Sequence, residues 1–133
     1  VSIAEKDSRA HQFYQVLAKG YGLPAEWNPL SLLGISQGLL AVRAVEHAAR
    51  KVGADKLTGE AVYEALSTGT FTEDELMGVL PTLQFTKEAP FPLKGGKVQV
   101  ETVKNGKYQL ATPGWLPIPT DIAKGLWRSG GAA

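Results

Sequence analysis

NPLSLLGISQGLLAVRAVEHAARKVG, residues 28–53, decides how the rest of the chain is read. Asn28 offers a capping oxygen to the first free amides, and Pro29 follows where a helical N–H has no partner to lose. Arg50 and Lys51 put positive charge in the last turn, where the helix dipole favours it, and Gly53 stops the run. The spacing predicts a helix from Asn28 to about Val52. Leu32, Leu33, Ile35, Leu39, Leu40, Val42, Val45 and Ala49 surround most of its early turns, so burial on several sides is expected. Gly34 and Gly38 each cost a helix about 1 kcal/mol relative to Ala, and tight packing against another backbone is the expected reason.

Two further helices flank this one. Ser2 and Glu5 have capping-box spacing, and Ala10, Phe13, Tyr14, Leu17, Ala18 and Tyr21 follow as one apolar face. Gly20, Gly22 and Pro24 end that helix. Downstream, Thr58 starts a third, with Leu57 and Val62 placed as a hydrophobic staple, Val62, Ala65 and Leu66 facing inward, and Gly69 at its end.

From Thr70 the character changes. Phe71 to Met77 reads as an acidic turn. Val79 to Phe85 alternates as a strand, which Pro81 restricts to an edge or a strand start. A Pro- and Gly-rich loop is expected from Glu88 to Gly96. Lys97 to Lys104 and Lys107 to Leu110 then flank Asn105-Gly106, and Asn-Gly between alternating runs is the strongest short hairpin signal. Pro113 to Thr120 reads as extended, Asp121 to Trp127 as a last short helix, and Ser129 to Ala133 as a frayed tail. Three helices with broad apolar surface thus meet few strands, and none of these lies between the helices as a parallel βαβ unit requires. The expectation is a mixed α/β chain that is a portion of something larger.

Composition narrows the function classes. Of 133 residues, 44% are hydrophobic and 20% charged, the balance of a packed domain and not of a disordered tail. The net charge of +1 comes without a Lys/Arg cluster, so a nucleic-acid surface loses its electrostatic basis. Cysteine is absent, which removes disulfides, thiolate chemistry and Cys-type zinc sites. The most apolar run, Pro29 to Val42, is about 14 residues, short of the roughly 20 that a bilayer needs.

Catalysis needs titratable groups that converge. His11 and His47 each fall within a predicted helix, and no His-x3-His pair accompanies them. Gly34-Ile35-Ser36-Gln37-Gly38 matches the nucleophile-elbow letters, but an elbow needs a strand before its serine and Ser36 follows a helix cap. Gly95-Gly96 lacks the Lys and helix of a phosphate loop. Glu73-Asp74-Glu75 reads as a solvated start of a helical turn. Trp27, Trp115 and Trp127 read as anchors of segment ends, with stacking on a ligand as the alternative. No catalytic residue, metal or cofactor is expected.

Five phrases now stand in order along the chain. They are Tyr21-Gly22-Leu23-Pro24, Glu46 to Gly53, Leu57 to Leu66, Gly78 to Thr86, and the hairpin Val103 to Tyr108 with Trp115 beyond it. Their order resembles that of the type I periplasmic solute-binding proteins of ABC transporters, of the branched-chain amino-acid class. At the position of Ile35 that family usually carries an aromatic.

The resemblance implies two α/β lobes joined by hinge strands, with a small solute held between them. A branched-chain amino acid or a related amino or organic acid is the implied solute, and a membrane permease the implied partner. This chain would be a C-terminal portion of such a protein. Residues 1–75 would be a helical part of the first lobe, and residues 76–133 would hold hinge-crossing strands, the hairpin of residues 97–110 and the tail. The resemblance places a cleft wall at Leu30 and Ser31. It implies a periplasmic location, with the export signal upstream of this chain. Binding without catalysis is the expected role, and the chain alone is expected to lack half the cleft and to self-associate. The rival expectation is a helical module that recruits a partner protein through its apolar helix faces.

Overall fold

A computed structural model describes residues 1–23, 26–87, 89–94 and 96–119. The expected last helix, Asp121 to Trp127, and the tail Ser129 to Ala133 lie outside the described residues. So do Pro24, Glu88, Gly95 and Thr120 of other expected segments.

Three helices lead: α1 (Arg9–Tyr21), α2 (Pro29–Val52) and α3 (Gly59–Thr68), with a 3-10 turn at Ala54–Lys56. The caps of α2 and α3 are those read from the sequence. Asn28 Oδ1 accepts from the Ser31 amide at 2.9 Å, and Thr58 Oγ1 from the Ala61 amide at 3.2 Å. The start of α1 is not. Ser8 caps it, accepting from the His11 amide, and Ser2 is turned to other work. The Ser2 amide does donate to Glu5 Oε2 at 2.9 Å, but the Ser2 hydroxyl accepts from the Ala4 amide at 3.0 Å and donates to Glu101, while the Glu5 amide goes to the Ser2 carbonyl. One half of a capping box closes a turn; a helix needs the other half as well.

Among the described residues seven short strands follow: β1 (Thr70–Phe71), β2 (Leu83–Thr86), β3 (Ala89–Lys94), β4 (Lys97–Val98), β5 (Glu101–Lys104), β6 (Lys107–Leu110) and β7 (Leu116–Pro117). Every described pairing is antiparallel. The order β1-β2-β3 makes one sheet, while β4 pairs with β7 and β5 with β6. The fold class is therefore mixed α/β, three helices with small antiparallel strand groups.

The hairpin forms as its turn dictates, with Asn105 and Gly106 at φ 52° and 72° and Lys104 facing Lys107. Its first arm is shorter than expected, because β4 leaves the run at Val98 to pair with Leu116. Two other expectations are corrected. The strand expected from Val79 begins only at Leu83. Met77 and Gly78, both at positive φ, close the preceding turn, and the Val79 amide is spent on the Leu76 carbonyl at 2.9 Å. The loop expected across residues 88–96 contains β3 instead. An edge strand bonds on one side only, so Pro90 and Pro92 leave it intact.

The core forms where α2, α3 and the β1-β2 pair meet: Ala44, Phe71, Leu76 and Leu83, flanked by Leu39, Leu40, Val62, Leu66, Leu80 and Phe85. Phe71 is fully buried, edge-on to Phe85 with ring centroids 6.1 Å apart. A Cβ on Gly69 would stand 2.3 Å from the Ala65 carbonyl oxygen and 3.0 Å from the Phe71 ring, so only glycine fits there.

The burial expected for α2 is half met. Ala44 and Ala48 are buried on the core side. Val42 and Val45, on the side that also carries Gly34 and Gly38, are 54% and 40% exposed, and Leu30 and Leu33, in the first turns of the helix, are 77% and 53% exposed. Gly34 and Gly38 have no described atom within 4 Å of where a Cβ would be. The close packing expected at these glycines is absent among the described residues, and a groove shared with Phe13 and Leu17 of α1 opens beside Gly38 and Val42. Nor is any described helix long and apolar enough to cross a membrane.

Candidate functional site

An open cleft of about 470 Å³ lies between the N-terminal segment, the first turns of α2, the Val79-Leu80 stretch and the chain around β4 and β5. A volume of this size suits a small molecule. Its apolar lining includes Ile3, Leu32, Leu33, Val79, Leu80 and Trp115, and its polar side chains are Ser2, Ser36, Gln99 and Glu101.

One carboxylate, Glu101, lines the cleft, and a second, Glu5, braces its polar side. Glu101 Oε1 accepts from the Ser2 hydroxyl and from the Ile3 amide at 2.9 Å. Glu5 Oε2 accepts from the Ser2 amide and from Gln99 Nε2 at 3.2 Å. Both ties cross more than 90 residues of sequence and hold the N-terminal segment against the β-rich half. Trp27 fixes the same segment from the helical side, its Nε1 donating to the Ile3 carbonyl at 3.1 Å. The Tyr14 ring packs on Trp27, with centroids 5.2 Å apart. Trp27 is thus a segment anchor, as expected, whereas Trp115 lines the cleft; Trp127 lies outside the described residues.

The Val1 amine donates to the Val79 carbonyl at 3.1 Å.

Leu30 and Ser31, which the family resemblance puts on a cleft wall, sit in the first turn of α2 between the lining residues Pro29 and Leu32. The Leu30 side chain is exposed, and the Ser31 hydroxyl donates to the Glu26 carbonyl at 2.6 Å. Ser36 lies inside α2, its hydroxyl bonded to the Leu33 carbonyl at 2.8 Å, so Gly34 to Gly38 is helix and not an elbow. His11 stays on α1 beside Trp27, with its Nδ1 against the Lys6 carbonyl.

A second group of polar side chains gathers at the other end of α2. His47 Nε2 is 2.8 Å from Glu75 Oε1, and the imidazole stacks on Phe71 with centroids 4.8 Å apart. Arg43 Nε donates to the Glu75 carbonyl at 2.8 Å, and its guanidinium pairs with Glu46 at 2.6 Å. Glu75 also closes a true capping box, accepting from the Thr72 amide at 2.9 Å while its own amide donates to Thr72 Oγ1. That Thr72 bond, then the His47 bond, holds the Glu75 carboxyl at about 2. The acidic triplet expected to be solvated is therefore solvated at Glu73 and Asp74 and structurally engaged at Glu75.

Sequence reasoning missed Gln99, Glu101 and the second role of Ser2. The available signal was parity: residues 99 and 101 share one face of an extended run. Comparison of the chain with protein-family models, curated proteins and solved structures returned no match.

Proposed function

We propose that this chain is part of the solute-binding component of an ABC transporter. That component captures a small solute, a branched-chain amino acid or a related amino or organic acid, between two α/β lobes. It then delivers the solute to a membrane permease from the periplasm, without catalysis. The observation that carries the reading is the uncovered apolar side of α2. A helix of 24 residues that leaves Val42 and Val45 exposed beside the open glycines 34 and 38 is built to lie beneath another layer. A type I lobe supplies such a layer in its central sheet. The order of three helices, an edge-strand group and an Asn-Gly hairpin is also the order the family resemblance implies.

Ligand drives such a clamp by contacting both lobes only when it is closed, so binding shifts the population toward the closed form. The test is calorimetry of leucine, isoleucine, valine, phenylalanine and small organic acids against the polypeptide in the full length its gene encodes. Saturable micromolar binding of one of these is expected. No binding by any of them contradicts the proposal.

A further inference from the structure

The chain holds two asparagines, and their surroundings are opposite. Asn28 caps α2: its Oδ1 accepts from the Ser31 amide at 2.9 Å, and the next residue is Pro29, whose nitrogen carries no hydrogen. Asn105 stands exposed at the tip of the β5-β6 hairpin, and the next residue is Gly106. Beyond its chain neighbours, no described atom lies within 4 Å of where a Gly106 Cβ would stand, so the Gly106 amide sits beside open solvent.

Lys104 and Lys107 face each other across this turn, both exposed. Two ammonium groups thus flank it, and they favour negative charge that develops on the Gly106 nitrogen or on an oxygen of Asn105. The positive φ values at Asn105 and Gly106 are those of a type I′ turn. In such a turn the Gly106 nitrogen points away from the Asn105 side chain, and joining the two needs that peptide to swing back. Little opposes the swing. The β5-β6 ribbon pairs with no third described strand, and residues 102–109 are all exposed. A two-stranded ribbon of this kind is marginally stable in water and opens locally.

We propose that Asn105 is a site of covalent modification, a spontaneous deamidation that proceeds through the opened hairpin. The Gly106 nitrogen attacks Asn105 Cγ and loses its proton. The Cγ–Nδ2 bond breaks, and Nδ2 takes up that proton and leaves as ammonia. A five-membered cyclic imide remains. Water then opens the ring at either carbonyl: breaking the new Cγ–N bond leaves aspartate, and breaking the original peptide bond leaves isoaspartate, with the chain running through the side chain. Nothing is oxidised or reduced. Asn28 is spared, because the Pro29 nitrogen has no proton to lose. The aspartate form sets a carboxylate beside two facing lysines and relieves their repulsion. The isoaspartate form adds a methylene to the backbone and breaks the Lys104–Lys107 register. None of this rests on the transport reading.

The test keeps the 133-residue chain in warm, mildly alkaline buffer and follows it by peptide mapping with mass spectrometry. The same chain in urea and the variant Asn105→Gly are run beside it. Glycine accepts the positive φ of position 105 and carries no amide, so this variant keeps the turn. In the folded chain the acid product should be confined to the peptide that holds residue 105, as a mixture of aspartate and isoaspartate, with Asn28 intact. Asn105→Gly should form none, and the chain in urea should react faster, since no hairpin has to open there. Residue 105 remaining an amide in the folded chain overturns the inference, whatever happens in urea. So does a product of aspartate alone, which would mean direct attack by water with no ring. Equal rates in the folded chain and in urea, or an undiminished acid yield in Asn105→Gly, overturn it as well.

Discussion

His47 Nε2 stands 2.8 Å from Glu75 Oε1, and this contact closes the far end of the core across 28 residues of sequence. The pair ties the middle of α2 to the turn that carries Phe71, and the imidazole lies flat on that ring. A bond from Thr72 and one from His47 favour the ionised Glu75, so its pKa falls from 4.5 to about 2 on folding.

The sign of the pH effect follows. Below both values the carboxyl is protonated in folded and unfolded chains alike, and the contribution is gone. Above 4.5 it is fully present. Thermal stability should therefore drop as pH falls from about 4.5 toward 2, and Glu75→Gln should flatten that part of the profile. Circular-dichroism melts of both proteins across this range check the prediction. An unchanged slope in Glu75→Gln would remove Glu75 as the cause.

Phe71 sits where α2, α3 and the β1-β2 pair meet, fully buried against His47 and Phe85. Phe71→Ala should cost about 3–5 kcal/mol, enough to unfold a chain of ordinary stability. Phe71→Leu, which keeps most of the volume, should cost visibly less. Urea denaturation midpoints measure the difference.

Gly38 sits on the exposed side of α2, with open space where a Cβ would stand. In the 133-residue chain Gly38→Ala should stabilise by about 0.5–1 kcal/mol, because Ala is the better helix former. In a complete bilobed protein the same change should destabilise, since the covering layer would approach there. The opposite signs, read from urea melts of the two polypeptides, separate a covered helix from a bare one.

Glu101 is one of two ties between the N-terminal segment and the β-rich half. Glu101→Ala removes the acceptor of the Ile3 amide and the Ser2 hydroxyl, both in a buried segment, and should cost about 1–3 kcal/mol. Faster amide exchange at Ser2 and Ile3 is the expected local sign. Protection equal to that of the unsubstituted chain would show that Trp27 and the Glu5–Gln99 bond hold the segment without it.

Much of the fold was legible where one residue decides a local geometry. Asn28, Thr58 and the Asn105-Gly106 pair each fixed an element start or a turn through their own side chain or φ angle. What was misread depended on distant partners. Ser2 has the letters of a helix cap, yet its hydroxyl is claimed by Glu101, 99 residues away. Prolines at 90 and 92 read as loop, and only their place at the edge of a sheet makes them strand. The cleft was least legible of all. Its acceptors lie in an alternating run whose residues look like ordinary hairpin positions until β4 turns away to pair with β7.

The exposed side of α2 carries the transport proposal, and solution scattering of the complete encoded polypeptide tests it most directly. A two-lobed clamp should contract on saturation with its solute, so the radius of gyration should fall when the bound amino or organic acid is added. A radius that stays the same at saturation, in a particle with no second lobe to close, would contradict the account.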